Sequence, residues 1–331
     1  MAQVQQLKQW TQINMANYKD IHGTQIETVS SDPDNPVNGQ VWYNSAEQKL
    51  KGLKSNPAGT WSSGGNMNTA RWVGANGAGT QTAGLVYGGE IPGSPATENK
   101  TESYNGSSWT ETGDLNTRRR AGSAGGDAST SALYSTGSYP GGSTANVESF
   151  DGSSWTELAN VNTARQYGAA GHSSGTAGLI FGGFGPPTVY PNTESFNGSS
   201  WTEVNDLNTG RRSVAGNGAP TAAICMGGYP SLANTEIWDG TSWTEVADQS
   251  NGGGGASFGT STSALKNNGT TSEVWNGTAW SSGTSSSNDL GNRAGLGTTS
   301  LGLLASGESP YSTATEEYVS PTETTVTFDV S

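Results

Sequence analysis

The chain has 331 residues, of which 49 are glycine and only 31% are hydrophobic, and its formal net charge is −13. Binding to nucleic-acid phosphates needs a basic surface, whereas this chain has 15 Lys and Arg against 28 Asp and Glu, which argues against a nucleic-acid partner. No apolar run approaches membrane-spanning length and the N-terminus has no signal-peptide core, so we expect no membrane insertion and no secretory leader. The single cysteine, Cys225, lies in an apolar run and is expected to be a buried, inert thiol.

The first segment of the chain, residues 3–20, is rich in Gln and favours a short helix, because its apolar side chains recur at steps of two or three. These apolar residues are Val4, Leu7, Trp10, Ile13, Met15 and Tyr18. An apolar stripe has to be buried, either by folding back under the rest of the chain or by docking on a partner or a sister subunit. A proline-rich turn at 32–36 follows the stripe. We therefore predict an attachment segment over 1–38 and a second domain over 39–331.

Three short strands are predicted next, at 40–43, 49–53 and 59–63, the last of them carrying Trp61. They form a unit that lacks one strand. The missing strand could be supplied by residues 25–29 or by the C-terminal end of the chain.

A repeated phrase then dominates the sequence, with the form T-E-S-F-N-G-S-S-W-T-E at 193–203. Its tryptophans, counted from residue 61, lie 48, 46, 46, 42 and 37 residues apart, at Trp61, Trp109, Trp155, Trp201, Trp243 and Trp280. Asn-Gly or Asp-Gly in the phrase supplies a hairpin turn between two strands, and a small apolar run ending in Gly-Gly precedes it as another strand. With a first strand after an Arg, each repeat has four antiparallel strands, A to D, which is one propeller blade.

Full repeats are predicted at 66–112, 115–157, 161–203, 207–245, 249–281 and 290–329, the last with T-T-V-T-F-D-V in place of the Trp strand. With the N-terminal three-stranded unit, they predict an all-β propeller of seven blades. A six-bladed ring with an additional hairpin is the alternative.

The repeats resemble the kelch repeat, whose marks are a double Gly, an aromatic residue, a Trp and an Arg that opens the next blade. Here these are Gly182, Gly183, Phe196, Trp201 and Arg211 or Arg212. The aromatic-to-Trp spacing is shorter than usual in kelch proteins, which indicates a tighter turn between strands C and D. The resemblance covers roughly 39–330 and implies a kelch-like β-propeller, but it says almost nothing about function.

A second resemblance concerns the phrase N-P-V-N-G-Q-V-W-Y-N at 35–44, followed by a Lys-Leu-Lys strand and a Trp strand. This arrangement and the Ser/Gly/Thr-rich repeats resemble modules of tailed-bacteriophage structural proteins of the marine or cyanophage-like kind. The resemblance implies a virion protein of the tail or capsid surface, made in the host cytoplasm.

Two charged positions recur in the repeats. A Glu opens strand C, at Glu102, Glu148, Glu194, Glu236, Glu273 and Glu316, and an Arg precedes strand A, at Arg71, Arg118–Arg120, Arg165, Arg211–Arg212 and Arg293. The arginines could ring the mouth of a central channel and bind an anionic glycan, or each could pair with a Glu or with loop carbonyls. Regular repetition favours the structural interpretation.

An enzymatic function is not expected, because the two histidines, His22 and His172, lie in unrelated contexts. No His and Cys cluster has metal-ligand spacing, so we predict no catalytic residue, no metal and no cofactor. Kelch-fold copper oxidases use Tyr, Cys and paired His ligands that this chain lacks. The acidic residues sit at repeated positions near turns, which is typical of structural acids rather than of a glycosidase pair.

The loops between strands B and C differ from repeat to repeat and carry aromatic residues. We predict that Tyr139, Phe184, Tyr190 and Tyr229 form one patch for sugars or protein, because such loops emerge on one face of a propeller. The alternative is that these rings only cover the tops of the blades.

These observations predict a non-enzymatic phage virion structural protein, used for host-surface adhesion or decoration. Residues 1–38 would anchor it to other virion proteins, the ligand would be a host-surface glycan or protein, and a homo-oligomer is an open alternative. Other functions left open are a glycan-active depolymerase and a cellular kelch-type interaction scaffold.

Overall fold

The computed structural model describes residues 26–34, 40–55, 59–72, 77–93, 97–139, 142–308, 310–321 and 323–328. Within these ranges the chain contains strands and no helix, so the all-β prediction is confirmed for them. The helix predicted at 3–20 lies outside the described residues, together with Val4, Leu7, Trp10, Ile13 and Tyr18.

The strands are short, most of them three to six residues. In chain order they are β1 (Glu27–Val29), β2 (Val41–Asn44), β3 (Lys49–Ser55), β4 (Thr60–Ser63), β5 (Ala78–Thr80), β6 (Ala83–Tyr87), β7 (Thr101–Tyr104), β8 (Trp109–Glu111), β9 (Ser123–Ala128), β10 (Ser131–Ser135), β11 (Ser138–Tyr139), β12 (Gly142–Ser143), β13 (Val147–Phe150), β14 (Trp155–Glu157), β15 (Ala169–Ala170), β16 (Gly178–Phe181), β17 (Phe184–Gly185), β18 (Thr188–Val189), β19 (Thr193–Phe196), β20 (Trp201–Val204), β21 (Ala215–Ala219), β22 (Ala222–Met226), β23 (Thr235–Trp238), β24 (Trp243–Val246), β25 (Ala256–Thr260), β26 (Ser263–Asn268), β27 (Thr271–Trp275), β28 (Trp280–Ser282), β29 (Ala294–Gly297), β30 (Leu301–Ala305), β31 (Thr315–Val319) and β32 (Glu323–Phe328).

The chain divides into two compact units, which we call the terminal unit (1–59 and 321–331) and the repeat region (60–320). This division differs from the predicted boundary between residues 38 and 39. The terminal unit holds one sheet of order β1-β2-β3-β32, in which β1 is parallel to β2 and the other neighbours are antiparallel. Both strands proposed to complete the N-terminal unit are therefore present, one at each edge.

The terminal sheet is organised around the carboxylate of Asp32. It accepts hydrogen bonds from Lys51 Nζ at 2.7 Å, Asn44 Nδ2 at 2.8 Å and Trp42 Nε1 at 3.0 Å. These bonds, the one from Lys51 above all, lower the pKa of Asp32 to about 2. Trp42 is fully buried, so the carboxylate gives its indole N–H an acceptor that the apolar surroundings lack.

The repeat region contains six four-stranded antiparallel sheets among its described residues. Sheets 1 to 5 are β5–β8; β9, β10, β13 and β14; β15, β16, β19 and β20; β21–β24; and β25–β28. Each has the predicted A to D order and the Asn-Gly or Asp-Gly turn between strands C and D. The double Gly follows strand B in sheets 1, 3 and 4, whereas sheets 2 and 5 have a single Gly there, Gly137 and Gly269.

Sheet 6 corrects the predicted pairing of Trp61. It consists of β29, β30, β31 and β4, so Trp61 lies opposite Tyr318 and not in a unit with β2 and β3. The strand at 324–328, expected to close the last repeat, instead belongs to the terminal sheet. The reason is aromatic packing, since every other repeat sets a Trp opposite the aromatic residue of strand C, as Trp201 lies opposite Phe196, and β32 has no Trp.

Successive sheets of the repeat region contact one another through their first strands. Strand A of each sheet contacts strand A of the next, in the order β5, β9, β15, β21, β25, β29 and back to β5. A cluster of buried apolar residues fills each of the six junctions between successive sheets. Small residues make the close approach of the first strands feasible: a Cβ at Gly295 would lie 2.4 Å from the Ser257 carbonyl oxygen.

The repeated tryptophans also tie each sheet to the one before it. The indole N–H of Trp155 donates to Thr101 Oγ1 at 2.9 Å, and Trp243 donates to Thr193 Oγ1 at 3.0 Å. Trp109 and Trp280 make the same bond to Thr315 and Thr235. Sheet 2 has Val147 at the threonine position, and Trp201 donates to the Ala159 carbonyl instead. Trp61 donates to the Thr284 carbonyl.

We expect Thr193→Val to lower the free energy of unfolding by about 1–3 kcal/mol, because the shape is kept while the buried Trp243 N–H loses its acceptor. Thr202→Val, on the exposed side of β20, is the matched control and should change stability little. Urea unfolding of both variants measures the difference. Equal stabilities would show that the Trp243–Thr193 bond contributes nothing.

Candidate functional site

The arginines that precede strand A form buried ion pairs with the glutamates of strand C. The pairs are Arg71–Glu102, Arg119–Glu148, Arg165–Glu194, Arg211–Glu236 and Arg293–Glu316, and each side chain is at most 1% exposed. Side chains so enclosed cannot reach a ligand. Of the two interpretations of the repeated Arg, the structural one therefore applies to these five.

The pair of sheet 3 shows how each charge is satisfied. Arg165 donates to Glu194 Oε1 at 2.5 Å and to the carbonyl oxygens of Asn192 and Gly182 at 2.6 and 3.2 Å. The other carboxylate oxygen of Glu194 accepts from the backbone N–H and the side-chain amide of Asn162. A buried ion pair is tolerated only when its remaining donors and acceptors are bonded in this way.

Sheet 5 has no Arg at this position and uses Lys266 of β26 instead. Its ammonium group donates to Gln249 Oε1 and to the carbonyl oxygens of Gly253 and Asn251, while Glu273 accepts from the backbone N–H groups of Ser250 and Asn251. Burial lowers the pKa of Lys266 to about 8.

We expect Arg165→Met to lower the free energy of unfolding by about 3–5 kcal/mol, because Glu194 would keep a buried, unpaired charge. Arg118→Met, at an exposed position, is the control and should be nearly neutral. The double variant Arg165→Met/Glu194→Leu should recover part of the loss. Chemical denaturation checks all three, and a stable single variant would contradict the role of the pair.

His172 lies in the interior between β15 and β16 and packs against the ring of Trp201. Burial lowers the pKa of His172 to about 3, and the nearby Ser123 backbone opposes this shift only in part. Neither ring nitrogen has a side-chain or backbone partner at good hydrogen-bond geometry within the described residues. A neutral, enclosed imidazole has no access to substrate. His22 lies outside the described residues.

The buried imidazole predicts acid sensitivity. Between the ordinary pKa of 6.5 and the folded value of about 3, unfolded His172 binds a proton and folded His172 does not, so stability falls as the pH falls. At about pH 4.5 this should remove roughly 2–3 kcal/mol relative to pH 7. His172→Phe should lack that component when unfolding is measured across this range. Parallel pH profiles of the two proteins would contradict the assignment.

The described residues contain no group of three or more His, Cys, Asp or Glu side chains that could hold a metal ion. Cys225 is fully buried, and burial raises the pKa of its thiol to about 11. None of the described segments is a helix long and apolar enough to cross a membrane.

A single cleft is lined by residues from several sheets, most of them close in sequence to a buried Arg that precedes strand A. We call it the central cleft; its volume is about 420 Å³ and its lining includes Trp72, Glu90, Arg120, Tyr167, Arg212, Ser213, Tyr229, Asn292 and Glu308. A narrower cavity of about 180 Å³, lined mainly by backbone and small side chains at the starts of the first strands, shares Tyr167, Ser213 and Asn292 with it. The residue after the buried Arg pairs with the B–C loop, as Arg212 does with Tyr229. This pairing fixes the backbone of the cleft wall.

Arg212 lies between two aromatic rings at the cleft. Its guanidinium carbon is 4.3 Å from the centre of Phe184 and 4.5 Å from that of Tyr229, which are favourable cation–π distances. Tyr229 is 57% exposed, so one of its faces remains open to solvent. Among the described residues Arg212 has no carboxylate partner.

The other charged groups of the cleft are held by neighbours. Arg120 pairs with Glu90 and lies 4.9 Å over the ring of Trp72, and Glu90 also accepts from the Tyr311 hydroxyl at 3.0 Å. Glu308 accepts a hydrogen bond from the Asn292 side-chain amide. Arg212 is thus the one cation of the lining without an anionic partner in the described part of the chain.

The four predicted ligand-binding aromatics lie at different places on the B–C loops. Phe184 and Tyr229 are brought together by Arg212, whereas Tyr139 lies over Arg118 and Tyr190 over Arg165. Only Tyr229 lines the central cleft. Their role in binding stays a prediction.

Sequence reasoning missed Trp72, Glu90 and Glu308, and it did not separate Arg120 from Arg119 or Arg212 from Arg211. The available signal was the doubled Arg at 119–120 and 211–212, in which the first Arg is buried and the second faces the cleft.

Comparison with known proteins gives no family by similarity: no protein-family model and no curated protein matches the chain.

Proposed function

We propose that the repeat region is a kelch-like β-propeller of six blades. Six four-stranded sheets, the cyclic contacts of their first strands and the six apolar junctions support this proposal. The ring would close in sheet 6, where β4 from the start of the region pairs with β31 from its end. Of the two blade counts considered, the proposal takes six.

We propose further that the protein is a non-enzymatic structural component of a tailed-phage particle that binds the host surface through one face of the propeller. The observation that carries the binding function is the central cleft. The sheets present there a cation that has no anionic partner in the described part of the chain, together with exposed aromatic surface, while the arginines and glutamates of the repeated pairs are buried. Rigid presentation of such groups lowers the entropy lost on binding.

A glycan-active enzyme is the second candidate, because two carboxylates, Glu90 and Glu308, line the same cleft. Both are engaged by neighbouring groups, which suits a positioning role better than acid–base chemistry. Incubation of purified protein with host polysaccharide separates the two functions: release of short oligosaccharides would favour the enzyme.

The residues before β1 would attach the protein to the other proteins of the particle. Deletion of residues 1–25, which spares β1 and Asp32, should leave a folded protein that no longer incorporates into particles.

The Tyr229→Ala variant should incorporate normally and adsorb more weakly to host cells, because the substitution removes cleft surface and no core contact.

Quantitative mass spectrometry of purified particles and an adsorption assay measure both effects. Absence of the wild-type chain from particles would overturn the virion assignment. Normal incorporation of the deletion variant would move the attachment surface elsewhere, and unchanged adsorption of Tyr229→Ala would overturn the adhesive role of the cleft.

A further inference from the structure

We propose that the central cleft binds an acidic sugar, with the sugar carboxylate on Arg212 and a hydroxyl group of the sugar on the carboxylate of Glu308. The inference rests on the proposed binding function and adds to it the chemical class of the ligand.

Arg212 is the group that would bind the sugar carboxylate. The guanidinium of Arg212 lies over the rings of Phe184 and Tyr229 and has no carboxylate partner among the described residues. The N–H edge of a guanidinium matches a carboxylate in two parallel hydrogen bonds. Because the rings already hold the side chain, little rotamer freedom is lost when the anion binds.

The charge of the cleft limits the kind of anion. Arg120 and Arg212 are balanced by Glu90 and Glu308, so the formal charge of the lining is zero, and the whole chain carries −13. A dense polyanion, such as a nucleic acid or a heavily sulfated glycan, would be repelled by the net charge of the chain and would gain no net attraction from the neutral lining. A sugar with one carboxylate per sugar unit and otherwise neutral polar groups would be repelled much less.

The remaining surface suits a sugar. The second carboxylate oxygen of Glu308 has no partner within the described residues and can accept from a hydroxyl group, and Ser213 adds a hydroxyl to the same wall. Tyr229 and Tyr167 offer aromatic surface against which the apolar face of a sugar ring can pack. A volume of about 420 Å³ lies in the range of small-molecule sites and admits one or two sugar rings.

The test is binding of the full-length protein to an immobilised panel of oligosaccharides. The panel contains uronic-acid and sialic-acid sugars, the methyl esters of the same sugars, their neutral parents, and sulfated forms. We expect retention of carboxylated sugars and loss of binding to their methyl esters. Arg212→Gln should weaken binding about 10- to 100-fold, the usual effect of losing a charged hydrogen-bonding partner.

Arg118→Gln is the matched control, because Arg118 is an exposed Arg that lies over the ring of Tyr139 and does not line the cleft. It should bind like the wild type. Arg212→Lys keeps the positive charge but lacks the two parallel N–H donors of the guanidinium, so it should bind at an intermediate level. The comparison of acid with methyl ester uses only wild-type protein, so it decides the question even if an Arg212 variant fails to fold.

Preference for neutral or sulfated sugars, no retention of any sugar, or equal binding of acid and ester would each overturn the inference. These results leave the proposed adhesive function standing if Tyr229→Ala still reduces adsorption of particles. Unchanged adsorption by that variant would remove the proposed function itself, whatever the panel shows.

Discussion

The buried ion pair between the Arg before strand A and the Glu of strand C is the constraint on which the repeat region depends. Removing two charges from water is costly, and hydrogen bonds to most of the remaining donors and acceptors offset part of that cost. In sheet 2, Glu148 accepts from Arg119 and also from the backbone and side chain of Asn116. One carboxylate thereby fixes the turn before strand A, the Arg itself and strand C in a single arrangement.

The buried ion pair also determines which residues line the central cleft. Once the first Arg is held inside, the next residue leaves on the opposite side of an extended backbone and pairs with the B–C loop, as Arg120 does with Ser138. Two neighbouring arginines of identical chemistry therefore acquire different roles. Arg211 stabilises the fold, and Arg212 presents a cation between two aromatic rings.

Ties between sheets explain how six short-stranded sheets form one region. Each repeated Trp covers an apolar junction and donates its N–H to the preceding sheet or its connection. Trp61 of β4, which lies opposite Tyr318 in sheet 6, makes the same kind of tie to sheet 5: its N–H donates to the Thr284 carbonyl and its ring packs on Phe258 with ring centres 6.3 Å apart. A strand from the beginning of the repeat region thus ties its last sheet to the preceding one.

The sequence by itself determined most strands and turns and the extents of the five repeats between 66 and 281, because these follow from local chemistry: Asn-Gly or Asp-Gly turns, double glycines and an aromatic residue before each Trp. It also indicated that the repeated Arg and Glu are structural. Only the tertiary structure decided that β4 pairs with β31 and β32 with β3, since partners so far apart along the chain are chosen by packing. It alone separated Arg211 from Arg212, because which of two adjacent arginines reaches Glu236 depends on the position of strand C in space.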